Sequence, residues 1–283
     1  MRKLVIGIII LVIILFVITF PSIYNSISLR LEKHSLKAPP PFKTLAQVKG
    51  ISTFNLSSVS GMIKYPQDYN IVLVGDSMTE KLGNSTELKG YLNQYYPDKT
   101  FEVLNYGYGS TSILSIEDRL NKDTFFGRDF RPILNIAFDL ILIESMGHNP
   151  LSQYSLEEGL KIQNQTLDKI VADIEQKHKK SSIIFVATIA PDKKNYAQGK
   201  MDLSPDIRAK WALERDAYIE NHIAYAKSHN IPVIDIYTKS KDSDGNGKYI
   251  YIDQTDHIHP SPTGVLFISK EIADYIAKNK LLN

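Results

Sequence analysis

The stretch 71-IVLVGDSMTE-80 decides how the chain reads. Ile71, Val72, Leu73 and Val74 run without a polar break and then stop at Gly75-Asp76-Ser77. A short unbroken apolar run, rich in β-branched residues and ended by small polar ones, is the pattern of a strand covered on both faces, as in a parallel sheet. Four further runs share it: 101-FEVLNY-106, 138-FDLILIE-144, 182-SIIFVATIA-190 and 231-IPVIDIY-237.

Helical patterns alternate with these runs. Ser85 stands as the cap of a helix over STELKGYLNQYY. The segment from Ser155 spaces Leu160, Leu167, Ile170, Val171 and Ile174 along one face. Ser204 and Pro205 open a third helix, and SPTGVLFISKEIADYIAKN closes the chain as a fourth. Strands and helices in alternation predict an α/β domain, a three-layer α/β/α sandwich around a five-stranded parallel sheet. Right-handed crossovers would then bring every strand's C-terminal end to one edge.

The N-terminus has another character. Met1-Arg2-Lys3 precedes Leu4 to Phe20, which carries no charge. As a helix those 17 residues span about 26 Å, enough for a thin bilayer. The run exceeds a signal-peptide core, and no A-x-A site follows it. The expectation is an uncleaved transmembrane anchor over 1–22, a stalk and lead-in over 23–66 that includes the stiff KAPPPF, and the α/β domain over 67–283. Arg2 and Lys3 set the N-terminus inside and the domain outside, although Arg30, Lys33 and Lys37 lie on the far side. Two of the 33 basic residues precede the anchor, which leaves 31 against 31 acidic ones. A formally neutral domain without a basic block does not suit nucleic acid. The absence of cysteine excludes disulfides, thiolate metal sites and a cysteine nucleophile.

Three strand ends and one later loop are chemically loaded: Gly75-Asp76-Ser77, 105-NYGYGST-111, 144-ESMGHNP-150 and 254-QTDHIHPSPTG-264. Taken singly, each also reads as an ordinary turn or surface loop. Taken in order, they resemble the SGNH/GDSL hydrolases: Gly75-Asp76-Ser77 the nucleophile block, NYGYGS the glycine block, Gly147-His148-Asn149 the G-x-N block, and Asp256-His257-Ile258-His259-Pro260 the D-x-x-H block. The resemblance covers about residues 68–280 and implies a flavodoxin-like α/β sandwich without cofactor or metal.

It implies roles as well. Ser77 would attack an acyl carbonyl, His259 would move the proton, and Asp256 would hold the imidazole. The Ser77 N–H, a backbone N–H at Gly109 and the Asn149 amide would receive the oxyanion. Two departures stand out. Ser110 takes the place of the last glycine in N-x-G-x-x-G, and Gly109 is preferred as donor because glycine tolerates any φ. Pro150 follows Asn149 where relatives often carry Asp.

Other features have alternatives. His257, His259, Asp253 and Asp256 could form a metal cluster, but no third His joins them. The segment 242-DSDGNGKYIYID-253 has calcium-loop spacing, yet YIYID reads as a strand and Asp-Gly and Asn-Gly favour a turn. Trp211 reads as core, and the polar stretch after the fourth strand as a substrate-facing loop. The expected function is a membrane-anchored extracytoplasmic serine esterase acting on acyl esters, O-acetyl included, of cell-surface carbohydrate or lipid. An O-acyltransferase on cell-surface glycans and a binding module with a vestigial site are the alternatives.

Overall fold

A computed structural model describes residues 62–282. In chain order these form β1 (Tyr69–Gly75), α1 (Ser77–Glu80), α2 (Thr86–Tyr95), β2 (Phe101–Gly107), α3 (Ile116–Asn121), a small antiparallel hairpin of β3 (Thr124–Phe125) and β4 (Asp129–Phe130), β5 (Leu140–Glu144), α4 (Leu156–Lys177), β6 (Ser182–Ala187), α5 (Pro205–Ser228), β7 (Val233–Asp235), α6 (Ile236–Lys239) and α7 (Pro262–Lys278). The anchor expected over 1–22 and nearly all of the stalk lie outside the described residues. Among the described residues no helix is long and apolar enough to cross a membrane.

The main sheet is parallel throughout, in the order β2-β1-β5-β6-β7. Numbered by the chain order of these five strands, that is the 2-1-3-4-5 winding of flavodoxin-like folds. The apolar run that opened the sequence explains its central position. Val72 and Val74 enter a core shared with Ile141, Ile143, Phe185 and the α4 residues Leu167, Ile170 and Ile174. Ile71 and Leu73 enter a second core with Leu140, Leu142, Leu88, Leu92 and the α7 residues Ile268, Ile272 and Ile276. Each face of the sheet therefore carries its own helical layer, and a strand buried on both faces has no room for polar alternation.

Several boundaries differ from the sequence reading. The fourth strand ends at Ala187, and Thr188-Ile189-Ala190 continue as loop. The fifth holds only Val233–Asp235, because the Asp235 carboxylate accepts from Thr238 N at 2.8 Å and starts α6. YIYID is no strand: Tyr249–Tyr251 is a 3₁₀ turn, and the Tyr251 ring stacks on Phe267 with centroids 4.2 Å apart. Ser85 occupies the cap position of α2 with φ 55, but its buried hydroxyl has no partner. Ser155 and Ser204 do cap α4 and α5. The stretch from Asp242 is a turn in which one Asp242 oxygen accepts from both Asp244 N and Asn246 N at 2.9 Å. Among the described residues no group of three His, Asp or Glu side chains is arranged to hold a metal ion.

Candidate active site

The winding reverses direction between β1 and β5, and ligands of such sheets bind outside the strand ends at that point. Ser77 follows β1 there. It is the first residue of α1, half-buried, and lines a cleft of about 440 Å³ with Gly109, Asn149 and His259. Three strand ends and the loop before α7 thus contribute to one cavity.

Asp76 sets the local backbone. Its fully buried carboxylate accepts from Met78 N at 2.8 Å through Oδ1, which caps α1. Oδ2 accepts from Asn149 Nδ2, also at 2.8 Å, and ties the loop after β5 to the loop after β1. An amide nitrogen carries two protons. One goes to Asp76 and fixes the orientation of the other.

On the loop before α7, one Asp256 oxygen accepts from Ile258 N at 2.9 Å and His259 N at 3.0 Å. The other lies 2.7 Å from His259 Nδ1. A carboxylate only accepts, so Nδ1 carries the proton and Nε2 is the basic nitrogen. Burial pushes the Asp256 carboxyl up, but its hydrogen bonds to the His259 ring, His259 N–H and Ile258 N–H outweigh that and hold it below the usual range. Among the described residues Nε2 has no hydrogen bond and is left to the cleft that Ser77 lines. His257, at φ 54, does not line that cleft.

The preference for Gly109 rested on a reason that the structure corrects. The left-handed residue in this loop is Ser110, at φ 57. A Cβ at Gly109 would come closest to Glu80 Oε2, at 2.8 Å, the tip of an exposed side chain that can move aside. Ser110, with a short polar side chain, tolerates the left-handed backbone at modest cost. Trp211, read as core, packs against Tyr196 and Ala197 and also lines the cleft. The polar loop after β6 does face it, through Tyr196, Ala197 and Met201. His148, which had no expected role, is buried; its Nε2 lies 3.1 Å from Ile189 O and its Nδ1 3.3 Å from the Tyr196 hydroxyl. Burial lowers this imidazole to about 4 and keeps it neutral. Arg215 Nε donates to the same Tyr196 hydroxyl at 3.2 Å.

Two further residues beneath the site escaped the sequence reading. Glu144 closes β5, fully enclosed, with Oε1 accepting from Ser145 Oγ at 2.7 Å and Met146 N at 2.9 Å. Its Oε2 lies 3.3 Å from Asp76 N. Burial, then the charge on Asp76, pushes this carboxyl well above its ordinary value. Burial raises Asp76 as well, but the Met78 N–H and the Asn149 amide favour its charged form. Burial beside a charged Asp76 thus favours the neutral form of Glu144. An acid at the end of an otherwise apolar strand was the available signal.

Arg119 is the other. It is wholly buried and donates through one nitrogen to Gly75 O at 2.6 Å and Tyr106 O at 2.9 Å. Its second terminal nitrogen donates to Ser115 Oγ at 2.7 Å and to Thr111 Oγ1. Burial lowers the guanidinium to about 10, still charged at neutral pH. One cation thus pins the last carbonyl of β1, a carbonyl near the end of β2 and the loop that carries Gly109. Its signal was spacing: Arg119 shares the buried stripe of α3 with Ile116 and Leu120.

The sequence profile of the GDSL-like lipase/acylhydrolase family matches residues 73–265. Solved structures share the fold. A lipase/acylhydrolase from Enterococcus faecalis superposes with a TM-score of 0.53 at 16% identity, over 75% of this chain and 96% of its own. A lipolytic protein of the G-D-S-L family from Desulfitobacterium hafniense gives 0.51 at 18%, over 74% and 99%. A catalytic mutant of an acetylxylan esterase from Geobacillus stearothermophilus gives 0.51 at 15%, over 76% and 96%. No curated protein sequence matches significantly.

The upward push on the Glu144 carboxyl has a measurable consequence. A carboxyl whose value is raised by folding contributes stability that is complete below its unfolded value and is lost as pH rises. For Glu144 the loss begins above the ordinary 4.5. Glu144→Gln keeps a neutral group there at every pH. Thermal unfolding is expected to match wild type near pH ~4 and to occur at a higher temperature than wild type near pH ~8. A variant whose deficit grows with pH would mean that Glu144 is ionised.

Proposed function

The chain belongs to the GDSL-like lipase/acylhydrolase family of ester-bond hydrolases, and we propose that it is a serine esterase that works through Ser77, His259 and Asp256. The observation that carries this reading is the 2.7 Å contact between Asp256 and His259 Nδ1 on a loop that shares one cleft with Ser77. His259 Nε2 takes the proton from Ser77 Oγ as the oxygen attacks the ester carbonyl, and returns it to the departing alcohol. Asp256 keeps the ring in its tautomer and stabilises the imidazolium. The oxyanion meets the N–H of Ser77, the N–H of Gly109 and the Asn149 amide proton that Asp76 does not use. Water then enters on the acyl-enzyme, with His259 as its base.

Arg119 is a positioning residue in this scheme. It touches no reacting atom, but it sets the spacing between the nucleophile's strand and the Gly109 donor. Lysine cannot span the same carbonyls and hydroxyls with one planar fork.

The substrate is an O-acyl ester of carbohydrate, with acetyl as the acyl group. Tyr196, Trp211, Arg215, Lys81 and Glu80 give the cleft aromatic and charged walls, which suit a sugar better than a long acyl chain. The acetylxylan esterase named above has the same fold. Residues 4–20 anchor the enzyme, with the N-terminus inside and the domain outside, as their uncharged run after Arg2 and Lys3 supports.

With p-nitrophenyl acetate, Ser77→Ala is expected to abolish turnover and fluorophosphonate labelling. Asp256→Asn is expected to lower kcat by about 10³–10⁴-fold, and Asn149→Ala by about 10²–10³-fold. Arg119→Lys is expected to lower kcat by about 10–100-fold with little change in KM. Full labelling of Ser77→Ala would refute the nucleophile, and acetate passing to a sugar acceptor in preference to water would make the enzyme a transferase. For the anchor, whole cells treated with protease should lose the domain, and a mature N-terminus beyond Phe20 would refute it.

A further inference from the structure

A second recess of about 380 Å³ adjoins the catalytic cleft. Glu80 lines both. Its carboxylate lies against Gly109, where an added Cβ would sit 2.8 Å from Glu80 Oε2 and 3.9 Å from Ser77 Cβ. One side chain therefore divides the two spaces, and a molecule held at Ser77 reaches the second by passing over it.

The far wall is the turn of the β3–β4 hairpin, Phe126-Gly127-Arg128. Gly127 takes φ 73, and Phe126 N donates to Arg128 O at 3.0 Å. Phe126 is 40% exposed, yet its inner face stacks on buried Tyr108 with centroids 4.1 Å apart. Tyr108 lies in turn under the Arg119 guanidinium, 4.2 Å from the ring centroid. The exposed ring is thus backed by rigid layers that run to the foot of the active site. Around it stand groups without hydrogen-bond partners among the described residues: the Glu80 carboxylate, the Asn84 amide and the guanidinium of Arg128, which lies over Phe130. Asn105, in the same wall, is fully committed to Thr79 O, Gly83 O and Gly107 N.

A flat supported ring together with a carboxylate, an amide and a guanidinium is the chemistry that holds a pyranose: C–H face on the ring, hydroxyl pairs on the polar groups. An acyl chain would make no use of those exposed polar groups. We propose that this recess is a sugar subsite. The acylated unit at Ser77 belongs to an oligosaccharide that crosses Glu80, and the next unit stacks on Phe126 with Glu80, Asn84 and Arg128 on its hydroxyls. The proposal rests on the carbohydrate esterase reading above and makes the enzyme one that acts within a glycan chain.

The test uses the full-length protein in detergent. Ser77→Ala is titrated by calorimetry with xylohexaose and with the hexamer of N-acetylglucosamine, each against its monosaccharide. At least one hexamer should bind at least about tenfold more tightly than its monomer, and Phe126→Ser or Arg128→Gln in that background should remove about tenfold of the affinity. In the active enzyme, kcat/KM on the O-acetylated hexamer divided by that on p-nitrophenyl acetate should fall by a similar factor in either variant. Arg128 is exposed, so its variant reports even if Phe126→Ser fails to fold. Equal binding of hexamer and monomer, or ratios unmoved in Arg128→Gln, overturns the subsite. So does a preference for p-nitrophenyl octanoate over acetate that Phe126→Ser abolishes, which would make the recess an acyl site. If wild type cleaves no ester while Ser77→Ala still binds hexamers through Phe126 and Arg128, the esterase reading fails and the subsite stands.

Discussion

The carboxylate of Asp76 is the constraint on which the site depends. It is fully buried and reaches two elements at once, Met78 N–H at the start of α1 and the Asn149 amide after β5. The first bond presents Ser77 at the head of a short helix; the second fixes a donor on the neighbouring strand end. Isolated burial of such a charge would cost far more than the fold could bear. The protein offsets it with those two bonds and with the positive charge of Arg119 nearby, while burial and the charge on Asp76 push the neighbouring Glu144 carboxyl up.

Arg119 extends the same logic from side chains to strands. Its bonds reach Gly75 O, the last carbonyl of β1, and Tyr106 O near the end of β2. Gly75 O also accepts from Tyr108 N at 3.1 Å, so Arg119 reinforces the end of the ladder. Here the donor is also a rigid brace, because a planar fork that holds two strands and two hydroxyls fixes their distances together.

What was legible in the sequence follows from which interactions are local. β1 was readable because four successive apolar residues cannot alternate, and a strand with two covered faces does not require them to. Asp256 and His259 were readable as a unit because three residues separate them and one turn closes their bond. The five strands and the helix faces were legible for similar reasons. YIYID was not, since its alternation imitates a strand, while the contacts that hold the 3₁₀ turn include tertiary ones, the stacking of Tyr251 on Phe267 and the Ser261 N–H on Tyr251 O. The fifth strand read too long because Asp235 spends its carboxylate on starting α6. Gly109 was singled out for backbone freedom, whereas the left-handed residue of that loop is Ser110. Arg119 and Glu144 stayed hidden because the contacts that tie them to the site, Gly75 O for Arg119 and Asp76 N for Glu144, are backbone groups distant in sequence.

That division between local and distant contacts has a consequence for folding. The Asp256–His259 half of the site is one loop, and it can form as soon as that loop does. The Ser77 half needs β1 seated between β2 and β5, pairings that join segments far apart in the chain and so carry a larger loop-closure cost. On the proposed assignment of roles, labelling of Ser77 would therefore report that the sheet has closed, which the Asp256–His259 contact alone does not.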